Sequence, residues 1–236
     1  MNLTIARCIA KLSGDGTVYL GKAGKNGYIR YSNTCEALRE KFKSDLHYIF
    51  GKIPLTEGIT NTNTPFVQVH RKHAVQFFLK YLDSYKSKNI LIPAAIKKAP
   101  KCIKAEYLKA FYDDEGSPRL RISKLQEWKR NITLYSNSEK LIKEAKQMLE
   151  QEFKIKCNKV YKDLREDGRL SFALDITGKN NFETFKQNIN FNHPKKKKIL
   201  QNILESYANT AKKNTAGFLK LREKIKSLTQ SRRSSH

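Results

Sequence analysis

Asp15 stands before Gly16 and Glu115 before Gly116, and each acid ends a short helical stretch: IARCIAKLSGDG from Ile5 and KAEYLKAFYDDEG from Lys104. An acid at a helix C-terminus opposes the macrodipole, so its presence asks for a functional reason. The bland alternative is a helix that simply ends at a glycine cap. Small residues recur at helical spacing in the first copy, at Ala6, Ala10 and Gly14; the last two align with Ala110 and Asp114 in the second. Such spacing lets two helices pack with close backbones. If the copies pack about a pseudo-twofold axis, Asp15 and Glu115 meet. Adjacent carboxylates repel unless a divalent cation lies between them. Hard oxygen ligands with few other protein donors suit Mg²⁺ (or Mn²⁺) completed by substrate phosphate, which is the chemistry of phosphodiester hydrolysis.

The elements that must position these acids are duplicated too. After each acid-Gly pair comes an alternating segment, Thr17–Leu20 and Arg119–Ser123, then YSNT (Tyr31–Thr34) and YSNS (Tyr135–Ser138). An amphipathic helix follows each, with Asn33/Thr34 and Asn137/Ser138 as expected N-caps. Phe66–Phe78 overlays Ala173–Phe185 without a gap, placing Val67 on Leu174, Val69 on Ile176, Lys72 on Lys179 and Phe78 on Phe185. Each half therefore reads helix, two strands, helix, one or two strands, helix. Asp167-Gly168 between alternating runs predicts a hairpin. The domains are expected at 1–86 and 104–207, with a linker over 87–103 and a basic extension over 208–236.

The strands alternate, so one face packs on helices and the other is polar. In the first half the polar face carries Thr17, Tyr19, Tyr28, Arg30, Ser32, Gln68 and then His70. In the second it carries Arg119, Arg121, Ser123, Tyr161, Asp163 and Asp175, with Lys159, Arg165 and Arg169 near by. At Ile132–Ser136 the parity is open, and either Thr133 or Leu134 faces out. The GKAGKNG stretch lacks the ending of a phosphate loop and reads as a hairpin tip, where Lys22 and Lys25 could touch phosphate.

Lys+Arg number 47 and Asp+Glu 22 in 236 residues, a net charge of +25. That excess predicts a polyanionic partner. No apolar run approaches the ~20 residues of a membrane helix. The N-terminus is interrupted by Arg7 and Lys11, a poor secretory signal. The four cysteines are far apart with no CxxC, which fits free thiols in a reducing compartment and excludes a zinc ribbon. A cytoplasmic or organellar protein is expected, not a secreted one.

The paired motifs resemble those of LAGLIDADG homing endonucleases in the single-chain, two-motif form. CIAKLSGDG (Cys8–Gly16) and LKAFYDDEG (Leu108–Gly116) sit where the nine-residue motif belongs, and INFNHPKKKKIL (Ile189–Leu200) is also similar to that family. The resemblance covers roughly residues 4–207. It implies an α+β fold of two pseudo-symmetric αββαββα repeats packed through the motif helices, each with an antiparallel sheet, forming a saddle over DNA. It implies a monomer that makes Mg²⁺-dependent double-strand cuts at a long asymmetric site. By the same resemblance Asp15 and Glu115 are metal ligands, aided by the backbone carbonyls of Gly14 and Asp114. Cys8, Lys11 and Ser13 depart from the motif, and Lys11 would need a solvent-facing or snorkelled place.

Such sites also hold a basic group against the pentacovalent phosphate. Lys72 and Lys179, just after the last strand of each repeat, are the expected ones; their plain alternative is solvated loop lysines. His70 and His73 read as surface or DNA-facing residues, and Lys195–Lys198 as backbone contacts or a solvated helix start. The first reading is a site-specific DNA endonuclease. The rival is a non-cleaving binder of the same fold, an intron RNA splicing maturase or a DNA-binding regulator. An intein is disfavoured because the chain starts at the first motif, and an intron-encoded, free-standing enzyme is expected.

Overall fold

Asn2 starts the first helix: its Oδ1 accepts from the amide of Ile5 at 2.9 Å and so caps α1 (Leu3–Ser13). The computed structural model describes residues 1–21, 27–85, 88–123, 127–164, 168 and 170–208. The first repeat continues as β1 (Gly16–Tyr19), β2 (Tyr28–Ser32), α2 (Glu36–Phe50), β3 (Thr56–Ile59), β4 (Pro65–Val69) and α3 (Lys72–Leu79). A short helix, α4 (Ala94–Lys97), lies in the connection. The second repeat is α5 (Lys101–Glu115), β5 (Gly116–Ile122), β6 (Trp128–Ser136), α6 (Glu139–Phe153), β7 (Tyr161–Leu164), β8 (Leu170–Ile176) and α7 (Lys179–Asn188), followed by α8 (Pro194–Ala208). The helix α5 opens inside the span expected as linker. Each sheet is antiparallel with matching order, β1-β2-β4-β3 and β5-β6-β8-β7.

The helices α1 and α5 pack side by side, with Ala6, Ala10 and Ala110 fully buried between them. The small residues thus do the steric work their spacing implied. One face of each sheet closes the core, with Ile29, Tyr31, Val67 and Val69 in the first and Leu134, Leu174 and Ile176 in the second. The register settles the open parity: Leu134 pairs with Leu174 on the core side, so Thr133, opposite Asp175, faces the polar side. Leu164 and Leu170 pair across the expected β7–β8 hairpin, and Gly168 takes φ 77°, where L side chains are strained.

Two sequence expectations change. The cap of α2 is Cys35 rather than Asn33 or Thr34, because the Asn33 amide is engaged elsewhere, while its Oδ1 accepts from Cys35 N at 2.8 Å. Ser138 does cap α6, accepting from Leu141 N at 3.2 Å and donating to Ile90 O at 2.7 Å. The connection between the repeats is thereby tied to α6, and Glu144 adds bonds to Ile92 N and Lys97 at 2.8 Å each. Lys11 is neither solvent-facing nor snorkelled. Its side chain is wholly buried, with the ammonium satisfied inside the protein.

Below the acids, a buried ion cluster joins the repeats. Arg7 grips Asp45 through two nitrogens at 2.6 and 2.7 Å and also donates to Glu106 of the second motif helix. A bidentate fork fits a planar guanidinium and holds α1, α2 and α5 in one arrangement. Among the described residues no helix is long and apolar enough to cross a membrane.

Candidate active site

The helix α1 ends at Gly14, whose amide still donates to Ala10 O at 2.9 Å, and α5 runs on through Glu115. The two ends touch: a Cβ built on Gly14 would stand 2.9 Å from Asp114 Cβ and 3.1 Å from Asp114 Oδ2. Only a residue without a side chain lets the backbones come so close. Asp15 follows at the rim, open to solvent as a residue but with its carboxylate turned among the polar groups of the cleft. Asn33 joins the two repeats there, its Nδ2 donating to Asp15 Oδ2 at 2.7 Å and to Asp114 Oδ1 at 3.3 Å. Asp15 and the Asp114 side chain therefore share one amide, and Glu115 is the next residue, half-buried.

Asp113 turns the other way. It is buried, and its Oδ1 accepts from the amides of Asn192 and His193 at 2.8 and 2.9 Å. That carboxylate caps the start of α8, where a negative charge is favoured. Capping brings Lys196, one turn along, onto the end of α5. Its ammonium donates to the backbone carbonyls of Tyr112, Asp113 and Asp114, the last at 3.0 Å. Tyr112 O also accepts from the Gly116 amide, while the Asp113 and Asp114 carbonyls are of the kind a helix end leaves unpaired. Asp15, Asn33, Asp113, Asp114, His193 and Lys196 line one open cleft.

Electrostatics mark the cluster. Burial pushes the Asp15 carboxyl up, opposed by the Asn33 bond and by Lys196 and Lys11. Burial raises Asp114 far more strongly; Lys11 pulls it back while Asp15 pushes it up. Asp113 is also raised by burial. Burial lowers Lys196, against the pull of Asp114, Asp113, Asp15 and Glu115. His193 is lowered to about 4 by burial and by the charges of Lys196 and Lys195. The Oδ2 atoms of Asp113 and Asp114 and Nδ1 of His193 are buried and have no hydrogen-bond partner among the described residues. Crowded acids, nearby cations and orphaned acceptors are what a site built for another ligand presents.

Other expected residues fall as follows. Lys72 opens α3, beyond Val69, which pairs with Ile29 at the sheet end away from Asp15; Asp15 adjoins the opposite end, where its carbonyl accepts from Ser32 N. Lys179 likewise opens α7 beyond Ile176 and forms an exposed pair with Glu183 at 3.7 Å. Neither lies by the acids, because the last strand of each repeat runs away from its motif. The lysine at the site is Lys196. The sequence carried a signal for it: Lys196, Ile199, Leu200, Ile203 and Tyr207 share one helical stripe whose later members pack inward. Asn33, Tyr31, Asp113 and His193 were also missed, since their role comes from contacts across the two repeats.

The Gly14 and Asp114 carbonyls, expected as ligands, differ in status, since the second is already taken by Lys196. On the polar faces Thr17 stands opposite Arg30, and Arg30 opposite Gln68. Arg30 donates to Gln68 Oε1 at 2.5 Å and lies over the rings of Phe66 and Tyr28. Tyr19 packs on Tyr28, and Tyr28 on His70, which bonds Gln68. Ser32 pairs with Phe66. In the second sheet Arg119 donates to Ser117 at 3.2 Å and stacks on Tyr135, while Arg121 and Lys159 are exposed. Asp175 accepts from Thr133, Asn131 and Tyr161, which makes it an internal anchor of that face. Asp163 and Ser123 serve their own hairpins through backbone bonds. Lys22, Lys25, Arg165 and Arg169, and the extension after residue 208, lie outside the described residues.

Comparison with known proteins agrees with this architecture. Residues 103–190 match the family model described as LAGLIDADG-like domain. Two curated proteins of Methanocaldococcus jannaschii are similar: a probable translation initiation factor IF-2, 34% identical over 140 residues (57% of this chain), and a replication factor C small subunit, 26% identical over 231 residues (95% of this chain). The chain spans only 11% and 12% of their lengths. Among solved structures, the homing endonuclease I-DmoI in complex with DNA and Ca superposes with a TM-score of 0.60 at 13% identity, covering 85% of this chain and 99% of that one. I-WcaI bound to its DNA recognition sequence gives 0.54 at 13%, covering 79% and 80%. The N-terminal LAGLIDADG domain of DUF199/WhiA gives 0.50 at 10%, covering 79% and 80%. The family match covers residues 103–190, and two antiparallel sheets hung from paired motif helices give the chain the two-repeat LAGLIDADG fold.

Proposed function

We propose that this protein is a metal-dependent, site-specific endonuclease for double-stranded DNA. The observation that carries the reading is the acid cluster at the crossing of the two motif helices, set between two polar, basic sheet faces. The residues fit a hard divalent cation: they are carboxylate oxygens, they crowd one another, and the Asp114 Oδ2 has no hydrogen-bond partner among the described residues. Asp15 and Glu115 would hold it, and the bound ion would supply Lewis-acid stabilisation of the phosphate and a more acidic water. That I-DmoI structures were obtained with manganese and with magnesium supports the choice of ion.

The chain's own residues do the rest. Lys196 fixes the carbonyl end of α5 and adds positive charge beside the acids. Asn33 sets the Asp15 carboxylate by its amide. Arg30 and Arg119, each stacked and hydrogen-bonded, offer held donors to base edges or phosphates, and the exposed Arg121 and Lys159 add phosphate contacts. A net charge of +25 draws DNA on and makes binding steeply salt-dependent. The protein acts as a monomer, since both motifs are in one chain. Occurrence of similar sequence as a small part of two proteins with unlike names supports a mobile module.

A second reading is a binder that keeps the fold without cutting, a regulator or an intron RNA maturase. It is favoured by one observation, the Lys196 ammonium already seated among the acids. The deciding experiment incubates the protein with a genomic or randomised DNA library in Mg²⁺ and, in parallel, in EDTA, then captures and sequences the ends. Discrete metal-dependent ends at one long site are expected. Tight salt-sensitive retention of DNA or RNA with no ends would replace the nuclease by the binder.

A further inference from the structure

The buried Lys11 has a definite target. Its Nζ donates to Tyr31 Oη at 3.0 Å and stands 4.4 Å from the centre of that ring. Tyr31 Oη in turn donates to Asp114 Oδ1 at 2.6 Å. An ammonium can only donate, so the phenol oxygen accepts from it and directs its own proton onward. The chain of donors therefore has one direction. It leaves the first motif helix, passes through a core tyrosine of β2 and ends on a carboxylate of the second motif.

Asp114 Oδ1 receives a second bond, from Asn33, whose amide also holds Asp15. One oxygen of the carboxylate is thus held by two donors, one residue before Glu115, and among the described residues the other, Oδ2, has no partner. Its backbone carbonyl is occupied by Lys196. What Asp114 presents toward Asp15 is its side chain. A wholly buried lysine linked through a phenol to a half-buried acid is seldom the most stable filling for a helix seam; apolar residues of similar volume often serve as well or better. A positional duty accounts for keeping it.

Building on the nuclease reading, we propose that the Asp114 carboxylate is a third working acid of the site, and that Lys11 and Tyr31 are positioning residues that hold it beside Asp15. Their effect on the reaction passes wholly through Asp114.

The test compares wild type with Lys11→Met, Tyr31→Phe and the double Lys11→Met/Asp114→Asn. Melting temperature, Mn²⁺ binding without DNA by electron paramagnetic resonance, and cleavage kinetics are read on each. Tyr31→Phe removes one hydroxyl and leaves the ring in the core. It is expected to weaken Mn²⁺ binding about tenfold, as loss of an outer-shell partner does. Its kcat is expected to fall by roughly tenfold to a hundredfold, with KM for DNA within about twofold. The double is expected to recover the melting temperature lost in Lys11→Met but not the cleavage. Recovery of both would mean that Lys11 and Asp114 are a structural pair only, and the proposal falls. It falls also if Tyr31→Phe matches wild type in Mn²⁺ binding and in kcat. Should Lys11→Met not fold, Tyr31→Phe decides alone. Should wild type make no cuts, the nuclease reading fails, and Mn²⁺ binding by Tyr31→Phe still decides the relay.

Discussion

Gly14 and Asp114 face each other where the motif helices end, with room for only one side chain: a Cβ on Gly14 would stand 2.9 Å from that of Asp114. The seam is closed on one side by absence and on the other by a carboxylate. Gly14→Ala is therefore expected to destabilise the protein by about 1–3 kcal/mol through overpacking. Urea denaturation measures it. Pairing it with Asp114→Gly should return part of the loss, because the clash is with that Cβ. An unchanged midpoint in the single variant would refute the close approach.

Deeper in the seam, Arg7→Met should cost about 3–5 kcal/mol, because it takes the forked partner from Asp45, 2% exposed, and from Glu106, leaving them Lys41 at 3.2 Å and Lys109 at 3.3 Å. A pH arm adds a sign. Burial alone would raise the Glu106 carboxyl, but Arg7 and Lys109 hold it below its ordinary value. Its contribution is present above the unfolded carboxyl range and disappears as pH falls through the folded one. The stability gap between wild type and Arg7→Met should narrow on acidification below about pH 4.5. A gap that is constant or widens contradicts the pairing.

The lysine assignment is testable by contrast. Lys196→Met is expected to lower cleavage by roughly a hundredfold or more, the scale for losing a preorganised donor. Lys72→Met and Lys179→Met should stay within about twofold, since they sit away from the acids. Single-turnover cleavage at saturating DNA reads all three. A large loss in Lys72→Met with none in Lys196→Met would reverse the assignment.

His193 gives a pH signature of opposite origin. Its ring is held to about 4 against an ordinary 6.5 by burial and by Lys196 and Lys195. The unfolded chain binds that proton first, so stability falls as pH is lowered from 6.5 toward 4. Relative to His193→Gln, the wild-type melting temperature should drop across that window and run parallel above it. Parallel behaviour throughout would show that the ring is not held neutral.

Much of the fold could be read from the chain alone, because duplication and alternation are local signals. The polar face of β2 follows from Ile29 and Tyr31 opposing Tyr28, Arg30 and Ser32. The β7–β8 hairpin follows from Asp167-Gly168. Of the candidate site, Asp15 and Glu115 could be named from the sequence, marked by their place before glycine. What escaped was set by contacts between repeats. Asn33 looked like a cap and proved to bridge two carboxylates. Lys196 hid in a run of four lysines whose solvated members mask the one on the inward stripe. Lys72 and Lys179 were drawn in by their symmetry, but symmetry in sequence says nothing of which end of a strand a loop occupies.

The docking of α8 on the end of α5 bears on timing during synthesis. Asp15 leaves the ribosome more than 170 residues before Lys196 and the amides of Asn192 and His193 that engage Asp113. Until α8 folds back, the acids lie at a seam with no ammonium across the Tyr112, Asp113 and Asp114 carbonyls and no cap partner for Asp113. Contacts of such long sequence separation form late and slowly. A partly made chain, or one broken before α8, therefore holds both motif acids yet lacks the assembled centre. The order of residues along the chain therefore delays assembly of the acid centre until α8 has been made.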